Sequence, residues 1–187
     1  MRIQYKHQKF QADAAKAVVD VFAGQPYLTP TYMMDRGTGY YQTTLTEEQD
    51  FTGWSNQRII PELNDQLILE HLQKIQRANQ IAPSAKLEGR ANGYNLTIEM
   101  ETGVGKTYTY IKTMYELNRA YGWSKFIIVV PSIAIREGVY KSFEMTQEHF
   151  AEEYGKKIRF FIYNSSQLTE IDRFASMYSS PSKRKTA

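Results

Sequence analysis

Apolar residues recur every three to four positions in four stretches of the chain: Gln8–Phe22, Pro61–Ala78, Lys106–Tyr121 and Ile135–Tyr154. This spacing gathers the apolar side chains on one face of a helix, which can then pack against a core. Gly122 and Gly155 follow the last two stretches, as is typical of helix ends. The pattern therefore predicts four amphipathic helices.

Between and after these helices lie three short apolar runs, which we interpret as strands: Tyr94–Met100, Phe126–Val130 and Ile158–Tyr163. A run without polar alternation, such as Phe126–Val130, is typical of a strand covered on both faces of a parallel sheet. The sequence therefore predicts an α/β fold with at least three parallel strands. The pattern also allows short strands at Tyr40–Leu45 and Arg58–Ile60.

The segment from Pro26 to about Asn92 interrupts this regular alternation. Its first half is rich in Thr, Tyr, Gly and Asp and shows no sustained period. Such an irregular stretch inside a compact domain is usually functional or an inserted subregion. Its aromatic side chains either stack on bases or pack the insertion onto the domain, and we favour packing.

The last part of the chain changes character. Asn164–Gln167 is predicted to cap a short helix that ends near Ala175. Residues 177–187 carry three adjacent basic residues and no apolar period, so we expect a disordered basic tail after a domain of residues 1–176. A truncated or shifted reading frame would give the tail the same appearance.

Composition limits the classes of function. The 187 residues are 42% apolar, carry a net charge of +3 and include no cysteine, which excludes a disulfide framework and a thiolate metal site. The three histidines are not in a metal-ligand spacing. The N-terminus shows no apolar signal region, and no apolar run approaches the roughly 18 residues of a membrane span. We expect a cytoplasmic protein.

The chemistry is concentrated where the predicted strand Tyr94–Met100 meets the helix that begins at Lys106. The connecting turn contains Gly103 and Gly105, which allow the backbone to bend sharply and pass close to phosphate oxygens. Backbone N–H groups and the helix N-terminus attract an anion. In such a loop Lys106 reaches the β- and γ-phosphates and the Thr107 hydroxyl binds Mg²⁺.

The loop departs from the general pattern G-x-x-x-x-G-K-[ST], because Met100 stands at the first glycine position. Its sequence, E-T-G-V-G-K-T, resembles the variant found in superfamily 2 helicases and translocases. That resemblance implies an ATP-binding loop formed by Thr102, Gly103, Val104, Gly105, Lys106 and Thr107. It also implies that Gln11, in the pair Phe10-Gln11, holds adenine; the alternative is an ordinary glutamine on a helix surface.

A third signal follows, V-V-P-S-I-A-I-R-E-G-V at residues 129–139. Together the three signals resemble the N-terminal motor region of the restriction subunit of type III restriction–modification enzymes, from about Tyr5 to Ala175. The resemblance implies a partial RecA-like, three-layer P-loop fold, ATP and Mg²⁺ as cofactors, and double-stranded DNA as substrate. It also implies a methyltransferase subunit as partner and a nuclease domain further along the family's chains.

The same resemblance implies that Pro131, Ser132 and Arg136 run along the DNA backbone. Contacts of this kind position a nucleic acid without reading its sequence. For Arg136 the alternative is an ion pair with the adjacent Glu137 or a neighbouring helix.

The acidic D-E-x-x motif that orients the attacking water in such motors is missing. We reject Glu47-Glu48 and the Glu170 to Asp172 cluster for this role, since neither follows a buried strand. The second motor lobe, with its arginine finger, is absent too. We therefore expect weak nucleotide binding and negligible turnover. The alternatives are another superfamily 2 repair helicase, a small P-loop kinase, and a non-catalytic remnant that only binds nucleotide.

Overall fold

The computed structural model describes residues 5–28, 31–34, 52–90, 93–163 and 174. These residues form four helices and four short strands. In chain order the elements are α1 (Lys9–Val21), β1 (Thr31–Met34), β2 (Thr52–Ser55), α2 (Asp65–Ala78), β3 (Glu88–Arg90), β4 (Gly93–Asn95), α3 (Lys106–Tyr121) and α4 (Ile133–Tyr154).

The four helices that the apolar spacing predicts are all present, and α3 has the predicted bounds. Gly122 and Gly155 end α3 and α4 in the left-handed conformation, with φ of 79° and 67°. This conformation is costly for residues that carry a Cβ, which explains why glycine stands there.

The start of α1 differs from the prediction by one residue; the starts of α2 and α4 differ by more, and a capping side chain explains each of these two. The Asn64 side chain accepts a hydrogen bond from the N–H of Leu67 at 3.0 Å, so α2 begins four residues after Pro61, which lies in the preceding turn. The Ser132 hydroxyl accepts a hydrogen bond from the N–H of Ile135 at 3.3 Å, so α4 begins two residues earlier than predicted. Both caps satisfy N–H groups that a helix leaves unpaired.

The strands pair locally. β1 and β2 are antiparallel, with Thr31 opposite Ser55, and β3 and β4 form a tight antiparallel pair, with Glu88 opposite Asn95. Of the predicted strand Tyr94–Met100, only residues 94 and 95 are in a ladder. The mixed α/β class is confirmed.

The parallel sheet is not present among the described residues. Residues 126–130 and 158–163 join no strand ladder there. Phe126, Ile158 and Phe160 pack onto the core between α3 and α4, whereas Ile127 and Val129 are 82% and 89% exposed. The run is apolar, as a buried strand requires, but a ladder also needs a hydrogen-bonded neighbour, and no described segment provides one.

Residues 58–60 do not form a strand either. The Gln25 side chain forms hydrogen bonds with their main chain instead. Its Oε1 accepts from the N–H of Ile60 at 3.0 Å, and its Nε2 donates to the carbonyl of Arg58 at 3.2 Å. The predicted strand Tyr40–Leu45, the predicted helix after Asn164 and the predicted tail lie outside the described residues, as do most aromatic side chains of the insertion.

The end of the insertion is tied to the connection after α3. Asn56 Oδ1 accepts from the N–H groups of Ser124 and Lys125 at 2.8 and 2.9 Å, and its Nδ2 donates to the Lys125 carbonyl at 2.8 Å. Trp123 Nε1 donates to the Gln57 carbonyl at 3.0 Å. The Asn56 amide and the Trp123 indole N–H thus satisfy main-chain groups that a neighbouring strand would otherwise bind.

Helix α3 is the centre of the packing. Both α1 and α4 pack against it, and α1 also contacts α2. One core cluster joins α3 to α4, and a second joins the end of α1 to α2; their buried members are Ile111, Met114, Tyr115, Phe143 and Phe150 in the first and Val21, Leu63 and Ile68 in the second. The fold therefore fixes the helix that begins at Lys106. Of the helices that the structure describes, none is long and apolar enough to cross a membrane.

Candidate phosphate-binding loop

The turn that leads into α3 depends on two glycines in the left-handed region. The φ angles of Gly103 and Gly105 are 82° and 88°. A Cβ at Gly103 would point into open space, so the cost of a side chain there is conformational strain. A Cβ at Gly105 would lie 2.6 Å from Nε2 of Gln11. A side chain at this position would therefore strain the backbone and also collide with Gln11.

The start of α3 offers unpaired donors. A helix leaves its first N–H groups without intrahelical partners, and Gly105, at the N-cap, has no side chain to accept from them. The Lys106 side chain is exposed and Thr107 is half-buried. Donors, a helix N-terminus and an exposed cation thus meet at an open turn. These are the groups that bind a phosphate.

Gln11 lies against this loop. Its Nε2 donates to the Val104 carbonyl at 2.8 Å, and its side chain, on the first turn of α1, is buried. Phe10 beside it is 47% exposed. The structure therefore brings Gln11 against the glycine turn, although Gln11 and Val104 are 93 residues apart along the chain.

A polar network holds α3 against α4 behind the loop. Buried Lys112 donates to a carboxylate oxygen of Glu153 at 2.5 Å and to the Tyr154 hydroxyl at 3.0 Å. The Tyr154 hydroxyl in turn donates to Glu116 at 2.7 Å. Burial, and then the bond to Glu116, raise the pKa of Tyr154 far above its ordinary value. The phenol therefore keeps its proton and links the two helices.

One turn closer to the loop, Tyr108 pairs with His149. The Tyr108 oxygen and His149 Nε2 are 2.9 Å apart. Burial, with smaller contributions from Glu153 and Tyr5, raises the pKa of Tyr108 to about 12. When Nε2 carries no proton, the Tyr108 hydroxyl donates to it. Sequence reasoning missed this network, although Tyr108, Lys112 and Glu116 share one helix face at four-residue spacing.

His149 makes the stability of this contact depend on pH. Burial is the main reason why its pKa is lowered below the ordinary value; His7 and Lys112 lower it further and Glu153 opposes them. The titratable groups around the ring come from the N-terminal segment and both helices: Tyr5, His7, Tyr108, Lys112 and Glu153.

We expect the free energy of unfolding to fall as the pH drops through about 6.5, where an unfolded histidine takes up its proton but folded His149 does not. The contribution is complete above that pH and is lost progressively towards the lower folded pKa. Urea titrations between pH 5 and 8 measure the slope. His149→Gln should flatten it, and an unchanged slope in that variant would contradict the assignment.

The predicted DNA-contact residues lie at the start of α4. Pro131 and Ser132 are exposed, but the Ser132 hydroxyl caps the helix. Arg136 Nε and Nη2 bond to Glu137 Oε1 at 3.2 and 2.9 Å, which is the ion pair weighed as the alternative. Arg136 also lines an open cavity of about 780 Å³ bordered by residues 124–128 and 156–163.

For a divalent metal, the described residues provide few ligands. They contain no group of three or more histidine, aspartate or glutamate side chains that could hold a metal ion. The Thr107 hydroxyl, on the second residue of α3, is the oxygen that the sequence predicts as a ligand of Mg²⁺.

A glycine turn at positive φ, followed at once by Lys-Thr at a helix start, is typical of the P-loop class of α/β proteins. Residues 60–180 match the family model described as "Type III restriction enzyme, res subunit", and the chain belongs to this family. The resemblance drawn from the three motifs is thus confirmed.

Three relatives support this assignment. The chain is 36% identical over 107 residues to the type III restriction-modification enzyme EcoP15I Res subunit of Escherichia coli and 35% identical over 107 residues to the EcoPI Res subunit of Escherichia phage P1. Each match covers 56% of this chain and 11% of the relative. It is also 45% identical over 62 residues to the StyLTI Res subunit of Salmonella typhimurium, covering 32% of this chain and 6% of the relative. The chain therefore spans only a small part of the length of these relatives.

Proposed function

We propose that this chain is the ATP-binding part of a DNA-translocating type III restriction subunit. One observation carries the proposal: the turn from Gly103 to Lys106 presents an uncapped helix N-terminus beside an exposed lysine. Donors fixed by the backbone and a neighbouring cation suit a triphosphate better than a neutral ligand. The family match supports the same function.

Each residue of the loop has a distinct role in this proposal. Gly103, Val104 and Gly105 shape the backbone that surrounds the phosphates, together with Thr102. Lys106 neutralises charge on the β- and γ-phosphates, and Thr107 holds Mg²⁺, which when bound neutralises further phosphate charge. Such positioning accounts for most of the catalysis of phosphoryl transfer.

Gln11 would hold adenine. Its Nε2 is bonded to Val104, and no described group bonds its amide oxygen, which could accept from the adenine amino group. The amide would then contact the base and the phosphate loop at the same time. This arrangement makes base recognition and loop geometry depend on one side chain.

The remaining parts of the proposal concern the larger assembly. Residues 126–130 and 158–163 would join a RecA-like parallel sheet, which suits their apolar character and the exposure of Ile127 and Val129. Pro131, Ser132 and Arg136 would contact double-stranded DNA, in which case Arg136 would exchange Glu137 for a phosphate. A methyltransferase subunit would be the partner, and the complex would act in the cytoplasm.

The test is a titration of the purified chain with fluorescent ATP, with and without Mg²⁺. We expect Lys106→Ala to weaken binding about 10- to 100-fold, the loss typical of a hydrogen bond to a charged group. The matched control is Lys141→Ala, since Lys141 is an exposed lysine on α4 and has no proposed ligand role. That variant should bind like the wild type.

Equal affinities of the wild type and Lys106→Ala would overturn the proposal. The rate of ATP hydrolysis distinguishes a chain that only binds nucleotide from one that contains a complete catalytic site. Because the described residues lack an acidic cluster, we expect binding with negligible turnover, as in a nucleotide-binding module. Hydrolysis at motor-like rates that Lys106→Ala abolishes would show that this chain contains a complete catalytic site.

A further inference from the structure

The N-terminal segment packs onto the helices behind the loop. The Tyr5 ring is stacked on Tyr108, with centroids 5.8 Å apart and planes inclined by 23°. It also meets the His149 ring at 4.9 Å, and His7 approaches His149 at 5.9 Å. Residues that precede α1 are thus attached to both α3 and α4.

Six residues after Tyr5, the same segment contacts the glycine turn through Gln11. Gln11 bonds to Val104, which precedes Lys106 by two residues, and Tyr5 contacts Tyr108, which follows Lys106 by two residues. Residues 5–11 therefore contact the loop region on both sides of the proposed phosphate-binding lysine.

Capping and surface charge contribute little at the start of α1. Gln8 at the N-cap makes no side-chain cap bond, and the first turn contains no acidic residue. Lys9 and Asp13 form an exposed ion pair, a type that contributes little to stability. The far end of α1 has its own attachment, where the Tyr121 hydroxyl donates to the Val19 carbonyl at 2.7 Å. Besides the bond from Gln11 to Val104 and the packing of α1 on α3, the near end is attached by the aromatic contacts of Tyr5 and His7.

We propose that Tyr5, held between Tyr108 and His149, is a positioning residue that sets Gln11 against the phosphate loop and thereby determines the preference for adenine. The inference rests on the proposed function, in which Gln11 holds the base. Tyr5 itself touches neither the base nor the phosphates. Its effect passes through the start of α1, so it should alter base selectivity more than affinity for the triphosphate.

The experiment compares the affinities of fluorescent ATP and fluorescent GTP for the full chain. We expect Tyr5→Ala to reduce the ratio of the two affinities about two- to tenfold, the range that the loss of aromatic contacts permits, while GTP affinity is retained. Tyr5→Phe keeps the ring and should keep the ratio. Tyr163→Ala removes a tyrosine that is 62% exposed and serves as the control.

A double variant makes the test specific. If Tyr5 acts through Gln11, then Tyr5→Ala in a Gln11→Ala background should cause no further loss of selectivity. Far-UV circular dichroism checks folding; where Tyr5→Ala proves unfolded, Tyr5→Leu retains the apolar volume without the aromatic ring, and its selectivity should fall in the same way.

Three results would overturn the inference: an unchanged ratio in the folded Tyr5 variant, equal weakening of ATP and GTP, which indicates a merely structural role, or no preference for ATP in the wild type. Failure of the proposed function appears differently, as Lys106→Ala that binds both nucleotides as well as the wild type. The two failures can therefore be told apart.

Discussion

Replacing Gly122 with alanine is expected to lower the free energy of unfolding by about 2–5 kcal/mol, enough to unfold a marginally stable chain. Gly122 ends α3 at a φ of 79°, and its missing Cβ would run into the carbonyl of Leu28. That carbonyl cannot retreat easily, because the N–H of Leu28 is bonded to the Tyr121 carbonyl at 3.3 Å. Strain and collision therefore act together. Urea denaturation followed at 222 nm measures the loss.

Gly138→Ala is the matched control for this change. Gly138 lies inside α4, and a Cβ there would meet no atom within 4 Å. Alanine favours a helix interior over glycine by about 0.5–1 kcal/mol, so this variant should be as stable as the wild type or more so. Equal destabilisation by the two alanines would mean that the end of α3 is not packed as described.

Phe150→Ala should cost about 3–5 kcal/mol, the range for a large aromatic side chain removed from a core. Phe150 is fully buried. Its ring lies 4.9 Å from that of Tyr108, 5.1 Å from those of Tyr115 and His149, and 6.1 Å from that of Tyr154. Removing it leaves a cavity at the junction of α3 and α4, beside Tyr108 near the start of α3. Thermal and urea denaturation both measure the effect.

Met145→Ala controls for the loss of an apolar side chain from the same helix. Met145 is 47% exposed, so its truncation should cost less than about 1 kcal/mol. Phe150→Leu should be intermediate, because leucine fills part of the space. A Phe150→Ala variant as stable as Met145→Ala would contradict the packing of α4 on α3.

The helices could be predicted from sequence because their causes are local. Four-residue apolar spacing and the closing glycines suffice for α3, which has the predicted bounds. The predicted starts of α2 and α4 are wrong because a capping side chain decides each start. Asn64 is one of several polar residues in its stretch, and Ser132 belongs to a motif that predicts a DNA contact. The spacing of apolar residues does not show which polar residue caps a helix.

Strand pairing was predicted less well, since a ladder depends on a partner that can lie anywhere in the chain. Asn56 illustrates the difficulty, because it binds the main chain of Ser124 and Lys125 from nearly 70 residues away. The glycine turn of the site could be predicted because backbone curvature demands those residues. The bond from Gln11 to Val104 and the stacking of Tyr5 on Tyr108 depend on how α1 packs, which the sequence motif does not specify.

The burial of Lys112 has a practical consequence for chemical labelling. Its amine is enclosed by Glu153 and Tyr154, whereas that of Lys106 is exposed at the start of the same helix. Amine-reactive reagents can therefore reach Lys106 in the intact molecule and reach Lys112 only when the two helices separate. Two lysines six positions apart on one helix thus act as separate reporters, the first of access to the start of α3 and the second of unfolding.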